Sequence, residues 1–267
     1  MTTFKVVLEY DGTGYAGWQR QLDAPTIQAT VEDALAGIAQ TRLTIVGAGR
    51  TDAGVHALGQ VASFRTDRGL SRHNWLRALN ARLPADISVL SVEEVPAEFH
   101  ARYSSRGKLY EYHLLNRPER APLLRDRAWM LFKPLDLAAM TEASASLIGT
   151  HDFSSFETAP TDNENPLCRL EQLDLRREGD LIIVAFYADR FLKQMVRSIV
   201  GTLVEVGQGK RSAADIRTVL AARSRMAAGR TAPAHGLYLV RVDYGDRQSH
   251  RDRIQKAEDH QNDSPEP

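Results

Sequence analysis

The sequence predicts an α+β protein of two ferredoxin-like halves, each a βαββαβ unit with an antiparallel sheet, joined around a central cleft. Three observations predict it. Apolar alternation marks short strands, apolar residues at helical spacing separate them, and the order of strands and helices runs through the chain twice. The halves are residues 1–105 and 106–245, and the polar stretch 246–267 reads as a disordered tail.

In the first half, residues 4–10 alternate apolar side chains with β-formers and stop at the turn pair Asp11-Gly12. Ile27, Val31, Ala34, Leu35 and Ile38 recur at helical spacing behind Thr26, an N-cap residue, which predicts a helix over 26–40. Strands are expected over 43–46 and 60–66, a helix over 71–81 carrying Trp75, Leu76 and Leu79, and a strand over 87–95. The second half repeats the order. A strand over 109–116 and a helix over 136–148 precede two strands, 169–176 and 181–188, joined at a Glu178-Gly179-Asp180 turn. A helix over 191–206, a short extra helix over 212–222 and a strand over 236–243 complete it.

At 267 residues, 43% hydrophobic and 25% charged, the chain is long enough for two modest cores. No apolar run approaches the roughly 20 residues of a membrane span. The start leads straight into a strand pattern, so a cytoplasmic protein is expected. A single cysteine, Cys168, excludes an internal disulfide and leaves no Cys/His spacing for zinc, and the eight histidines are scattered, so no metal site is expected. The net charge of zero excludes a protein that coats nucleic acid by bulk attraction. The basic residues are mostly Arg, which pairs with phosphate and stacks on bases.

The richest stretch is 46–60, where Arg50 and Asp52 sit among Gly47, Gly49, Gly54 and Gly59 between two strand runs. Glycines let a backbone approach a ligand, so a carboxylate among them is presented rather than buried; the alternative is a hairpin turn that Asp52 caps locally. Gly47-x-Gly49 lacks the third glycine of a dinucleotide fingerprint, and Gly49-x-x-x-x-Gly54 is followed by Val55-His56 instead of the Lys-Ser/Thr of a P-loop. Residues 13–21 place Tyr15, Trp18, Arg20 and two glutamines in one loop. Such a loop suits base stacking and phosphate contact, or else folds its aromatics back onto the domain. Along the helix from 191, Arg190, Lys193 and Arg197 form a basic stripe, either a solvated face or, if Arg197 points into the cleft, a cation that holds Asp52 ionised. The run His151-Asp152-Phe153-Ser154-Ser155 has no GxSxG elbow and reads as local hydrogen bonding, not a hydrolase site.

Gly49-Arg50-Thr51-Asp52-Ala53-Gly54-Val55-His56 resembles the catalytic signature of tRNA pseudouridine synthases of the TruA family. So do Glu9-Tyr10-Asp11-Gly12, Gly17-Trp18-Gln19-Arg20-Gln21, Phe99-His100-Ala101-Arg102, Tyr110-x-Tyr112, Gly149-x-His151-Asp152-Phe153, Met195-Val196-Arg197 and Gly236-Leu237-Tyr238-Leu239, across residues 4–244. The resemblance implies isomerisation of uridine at positions 38, 39 and 40 of the tRNA anticodon stem-loop by a homodimer without metal or organic cofactor. It implies that Asp52 is the essential aspartate, that Arg50 helps displace the target base and that Tyr110 packs on the uracil. Arg197 would pair with Asp52 and Leu237 would wall the pocket. Arg20, Trp18, Lys193 and His56 are the further candidates for contact with RNA. The chemistry fits one ionised carboxylate acting at C1′ or as a base on the sugar. A noncatalytic tRNA-binding or folding module and a uracil-releasing hydrolase are the competing readings.

Overall fold

Alternate side chains of β1 (Thr2–Tyr10) are buried, with Phe4, Val6, Leu8 and Tyr10 all within 3% of full burial. In this computed structural model residues 1–159 and 165–245 are described; the predicted tail over 246–267 lies outside them. β1 is followed by α1 (Ile27–Ala39), β2 (Val46–Gly47), β3 (His56–Thr66), α2 (Arg72–Asn80) and β4 (Ile87–Val95). The chain continues through β5 (Gly107–Asn116), β6 (Trp129–Leu131), α3 (Leu137–Ala145), β7 (Gly149–Asp152), β8 (Leu167–Glu178), β9 (Leu181–Ala188), α4 (Met195–Gly207), α5 (Asp215–Ala222) and β10 (Leu237–Asp243).

The structure is mixed α+β with one large, mostly antiparallel sheet in the order β4-β1-β3-β10-β5-β9-β8-β7, with β2 added to β3 and β6 to β5. The first half of the chain contributes β4-β1-β3-β2. The second contributes β10-β5-β9-β8, which is the same fourth-first-third-second arrangement, and β7 extends its edge. The two sheets expected from the sequence are fused, because β10 pairs in parallel with β3 at Tyr238–His56 and Leu239–Ala57. β2 leaves that stretch of edge open, since it reaches only Ala62 and Ser63. The expected strand over 43–46 is short for a local reason. The main chain of Ile45 is taken by α1 side chains: its amide donates to Glu32 Oε1 at 3.1 Å and its carbonyl accepts from Gln28 Nε2 at 3.2 Å.

Helix α1 starts where Thr26 accepts from the Ala29 amide, and it buries Ile27, Val31 and Leu35. Trp75 of α2 lies edge-on to Phe64, centroids 5.2 Å apart, with Phe4 stacked beyond. α4 begins at Met195, not at 191, because Gln194 takes a left-handed φ of 59° and the preceding residues form a connection; Arg190 and Lys193 therefore precede the helix that carries Arg197. One hydrophobic cluster runs from Phe4 to Val242 through both halves.

Candidate active site

Residues 48–55 leave β2 and form a loop fixed at almost every position by groups from β1, β3 and the 13–21 loop. Ala48 N donates to the Val61 carbonyl at 2.7 Å, Gln60 Nε2 to the Gly49 carbonyl at 2.9 Å, and Trp18 N to the Thr51 carbonyl at 3.0 Å. The hydroxyls of Tyr10 and Thr51 are hydrogen-bonded at 2.8 Å. Burial pushes the Tyr10 phenol up to about 12 despite its hydrogen bonds to Thr51 and Gln60, so it stays a neutral strut. The two loops fit because Gly17 has φ of +95° and no side chain; a Cβ there would meet the Thr51 carbonyl oxygen at 2.6 Å.

Asp52, partly exposed, is the carboxylate this loop presents. Arg197 Nη1 donates to Asp52 Oδ2 at 2.8 Å, and Arg197 Nε donates to the Ala232 carbonyl at 2.8 Å. The basic residue thus points into the groove, not to solvent. The Arg197 carbonyl also accepts from the Ala232 amide at 3.0 Å, so side chain and main chain of Arg197 are tied to the same residue. This close crossing needs Gly201, one turn on in α4, where a Cβ would lie 1.7 Å from the Arg230 carbonyl oxygen. Asp52 Oδ1 makes no hydrogen bond with a described residue and is open for chemistry.

Tyr110 of β5 is buried on the same side. Burial first, then its neighbours Tyr10 and Asp52, hold its phenol well above the usual range and therefore neutral. Its ring meets Phe191 edge-on at 5.0 Å. Leu237, also buried, starts β10 opposite Tyr112, while Leu239 lies opposite Tyr110; side chains two apart on a strand share a face, so Leu237 is on the Tyr110 face. Tyr112 Oη donates to the Pro233 carbonyl at 2.7 Å and fixes the 230–236 segment that backs Arg197.

The outer candidates separate. Arg50 is exposed and its Nε donates to Gln19 Oε1 at 3.0 Å. Arg20 turns to α1, reaching Glu32 at 2.8 Å and Asp33 at 3.5 Å. Lys193 is exposed ahead of α4. Two of the expected RNA contacts are corrected. Trp18 is 2% exposed, with its ring beneath Gly47, so the loop folds this aromatic inward and uses its main chain to hold Thr51. His56 is also buried: Nδ1 accepts from the Gly12 amide at 3.1 Å, Nε2 faces the carbonyls of Asp126 and His235, and Tyr238 stacks on the ring at 4.9 Å. Burial keeps its pKa low, so it is a neutral brace between the halves.

Tyr10 and Gln60 brace the loop from neighbouring strands; in the sequence Tyr10 shows only as part of the Glu9-Tyr10-Asp11-Gly12 run and Gln60 only as a polar residue in a strand. Lys108, two residues before Tyr110, carries no motif of its own. In the His151 run, Ser154 Oγ donates to Asp152 Oδ1 at 2.5 Å and His151 Nε2 lies 2.9 Å from the Ile148 carbonyl, the local bonding expected. Among the described residues no three His, Cys, Asp or Glu side chains group as a metal ion requires, and no helix is long and apolar enough to cross a membrane.

Fold and site together set, on an α+β frame, a single carboxylate with one oxygen held by a guanidinium and the other open, beside a buried tyrosine. A family model described as tRNA pseudouridine synthase matches residues 6–104 and 143–245. The chain is 47% identical over 245 residues to tRNA pseudouridine synthase A of Afipia carboxidovorans, covering 91% of this chain and all of that protein. It is 44% identical over 244 residues to the protein of that name in Acetivibrio thermocellus and 46% identical over 245 to that in Rhodopseudomonas palustris, again across 91% of this chain and the whole of each relative. The chain belongs to the tRNA pseudouridine synthase family, and it is an isomerase.

Proposed function

We propose that the protein converts uridine to pseudouridine at positions 38, 39 and 40 of the tRNA anticodon stem-loop, with Asp52 acting directly on the ribose. The observation that carries this reading is the 2.8 Å contact between Arg197 and Asp52, formed across the two halves of the chain and next to Tyr110. The bond from C1′ to N1 breaks with its electron pair on uracil, the ring turns over, C5 bonds to C1′, the C5 proton leaves and N1 gains one. Arg197 holds one oxygen of Asp52 and so aims the other at the ribose, Tyr110 stacks on the detached uracil and Leu237 closes the pocket. Arg50, exposed at the lip, helps hold the stem open once the target nucleotide is extruded at a cost of a few kcal/mol.

The shared fourth-first-third-second strand order supports a pair of ferredoxin-like units, 1–105 and 106–245, with RNA in the groove where Asp52 and Arg197 meet. By family likeness the working form is a cytoplasmic homodimer that needs neither metal nor organic cofactor. The decisive experiment uses purified protein and an unmodified tRNA transcript with uridine at those positions. Wild type gives pseudouridine, detected by a carbodiimide adduct that stops reverse transcription, with no additive. Asp52→Asn binds the RNA and gives none; turnover by that variant would remove Asp52 from the mechanism. Deuterium at C2′ separates its two possible tasks, since only proton removal from the sugar gives a primary isotope effect.

A further inference from the structure

Lys108 lies two residues before Tyr110 on β5, so both side chains leave the same face of the sheet, about 7 Å apart along the strand. Both lie against the Asp52 loop. A Cβ built on Gly49 would stand 3.3 Å from Lys108 Cε and 3.9 Å from Tyr110 Oη, so the lysine stem passes under the loop at the residue three before Asp52. Beyond the stem, the ammonium finds one hydrogen-bond partner among the described residues, the neutral Ser105 Oγ at 3.4 Å.

The charged groups around it are Arg102, from the segment before β5, and Asp189 and Arg190, which directly follow Ala188, the cross-strand partner of Lys108. Asp189 favours the ammonium but is engaged elsewhere, its Oδ1 accepting from the Arg169 amide at 2.9 Å. No carboxylate of the described residues is in contact with Lys108. Burial above all, with Arg102 and Arg190 adding to it, brings its pKa down to about 8. A half-buried cation beside other cations, without a contacting counter-ion, carries an uncompensated desolvation cost. An anion supplied from outside removes that cost.

We propose that Lys108 is a substrate-positioning residue that receives a backbone phosphate adjoining the uridine held between Asp52 and Tyr110. An ammonium acts on phosphate as a point charge from any direction, which suits a strand whose target nucleotide is displaced from its stem. The offset along β5 places the charge beside the base-stacking tyrosine, not over it, where the connected sugar-phosphate chain must pass. This assignment rests on the proposed tRNA reading and names one contact within it.

The test measures Kd and single-turnover rate for wild type, Lys108→Met and Lys108→Arg. The substrates are an anticodon stem-loop RNA and two copies, each with one neutral methylphosphonate, on the 5′ or the 3′ side of the target uridine. Lys108→Met keeps the unbranched stem and should weaken binding about 10- to 100-fold, the worth of one charge-assisted hydrogen bond, with the bound rate within a few-fold of wild type. Lys108→Arg should restore binding. One of the two methylphosphonates should cost wild type a similar factor and cost Lys108→Met nothing further. Wild-type affinity should fall as pH rises through about 8, while Lys108→Arg stays flat. Independent losses at both phosphates, or unchanged binding by Lys108→Met, would overturn the assignment. Wild type that binds the RNA but forms no pseudouridine would instead overturn the reading beneath it, and the binding comparison would still judge Lys108.

Discussion

Arg197 holds two acceptors with one planar group, Asp52 through Nη1 and the Ala232 carbonyl through Nε. The second bond fixes the direction of the first. Arg197→Lys keeps the charge but cannot span both acceptors in a fixed fork, so Asp52 should lose its aim. The expected result is a fall in kcat of about 100-fold with KM for tRNA near wild type, measured by single-turnover kinetics. An equal rise in KM would mean that Arg197 serves binding instead. Tyr10→Phe tests the other side of the loop, since it removes the 2.8 Å bond to Thr51 and leaves that buried hydroxyl without its partner. Unfolding free energy should drop by about 1 kcal/mol and kcat should drop with it. That Asp52 is presented and not buried was legible in the sequence, because glycines on both sides exclude it from a core. The inward turn of Trp18 and His56 was not, because a polar, aromatic loop looks the same in sequence whether its rings face outward or inward; the seat of Trp18 under Gly47, where a Cβ would lie 2.6 Å from its ring, exists only in three dimensions.

Helix α4 reaches the site only because another segment lies almost on its backbone. At Gly201 the Arg230 carbonyl would be 1.7 Å from any Cβ, and main chain cannot move aside as a flexible side chain can. Gly201→Ala must therefore push the 230–232 segment away, and with it the Ala232 carbonyl that orients Arg197. Overpacking of this kind costs about 1–3 kcal/mol. The prediction is a lowered Tm together with a loss of kcat larger than the Tm change explains at the assay temperature; a variant with wild-type kcat would show that the Ala232 contact is dispensable. The long helices and strands of the core could be read from periodicity, as α1, α2, β4 and β9 fall within a residue or two of expectation. The misses have physical causes: β2 lost Ile45 to Gln28 and Glu32, and α4 was delayed by the left-handed Gln194, since apolar spacing does not register a φ angle. β6 and β7 are too short to show alternation.

The doubled order of elements was visible in the sequence, but the seam was not, because β10 joins the halves through only two parallel residue pairs and side chains supply the rest. Asp11, at the end of β1, pairs with Arg127 from the second half, and His56 faces the Asp126 and His235 carbonyls. With one hydrophobic cluster spanning the seam, the halves should unfold together. Trp18 and Trp75 report on the first half and Trp129 on the second. In urea, a Trp129→Phe protein and a Trp18→Phe, Trp75→Phe protein should each show one transition, with slopes equal to those of the parent followed by far-UV dichroism. A second transition in either would mean that the seam yields first. Acid adds a test of direction. Burial opposes ionisation of Asp11, but hydrogen bonds from Thr13 and the Arg127 guanidinium outweigh it and hold its carboxyl below the ordinary value of 3.8. A depressed folded pKa contributes stability that is complete above the unfolded value and lost as pH falls through the folded one. Asp11→Asn should therefore be less stable than wild type at pH 7, and the gap should close as the pH drops below about 4. A gap that stays constant into acid would show that the Asp11–Arg127 pair contributes through shape alone.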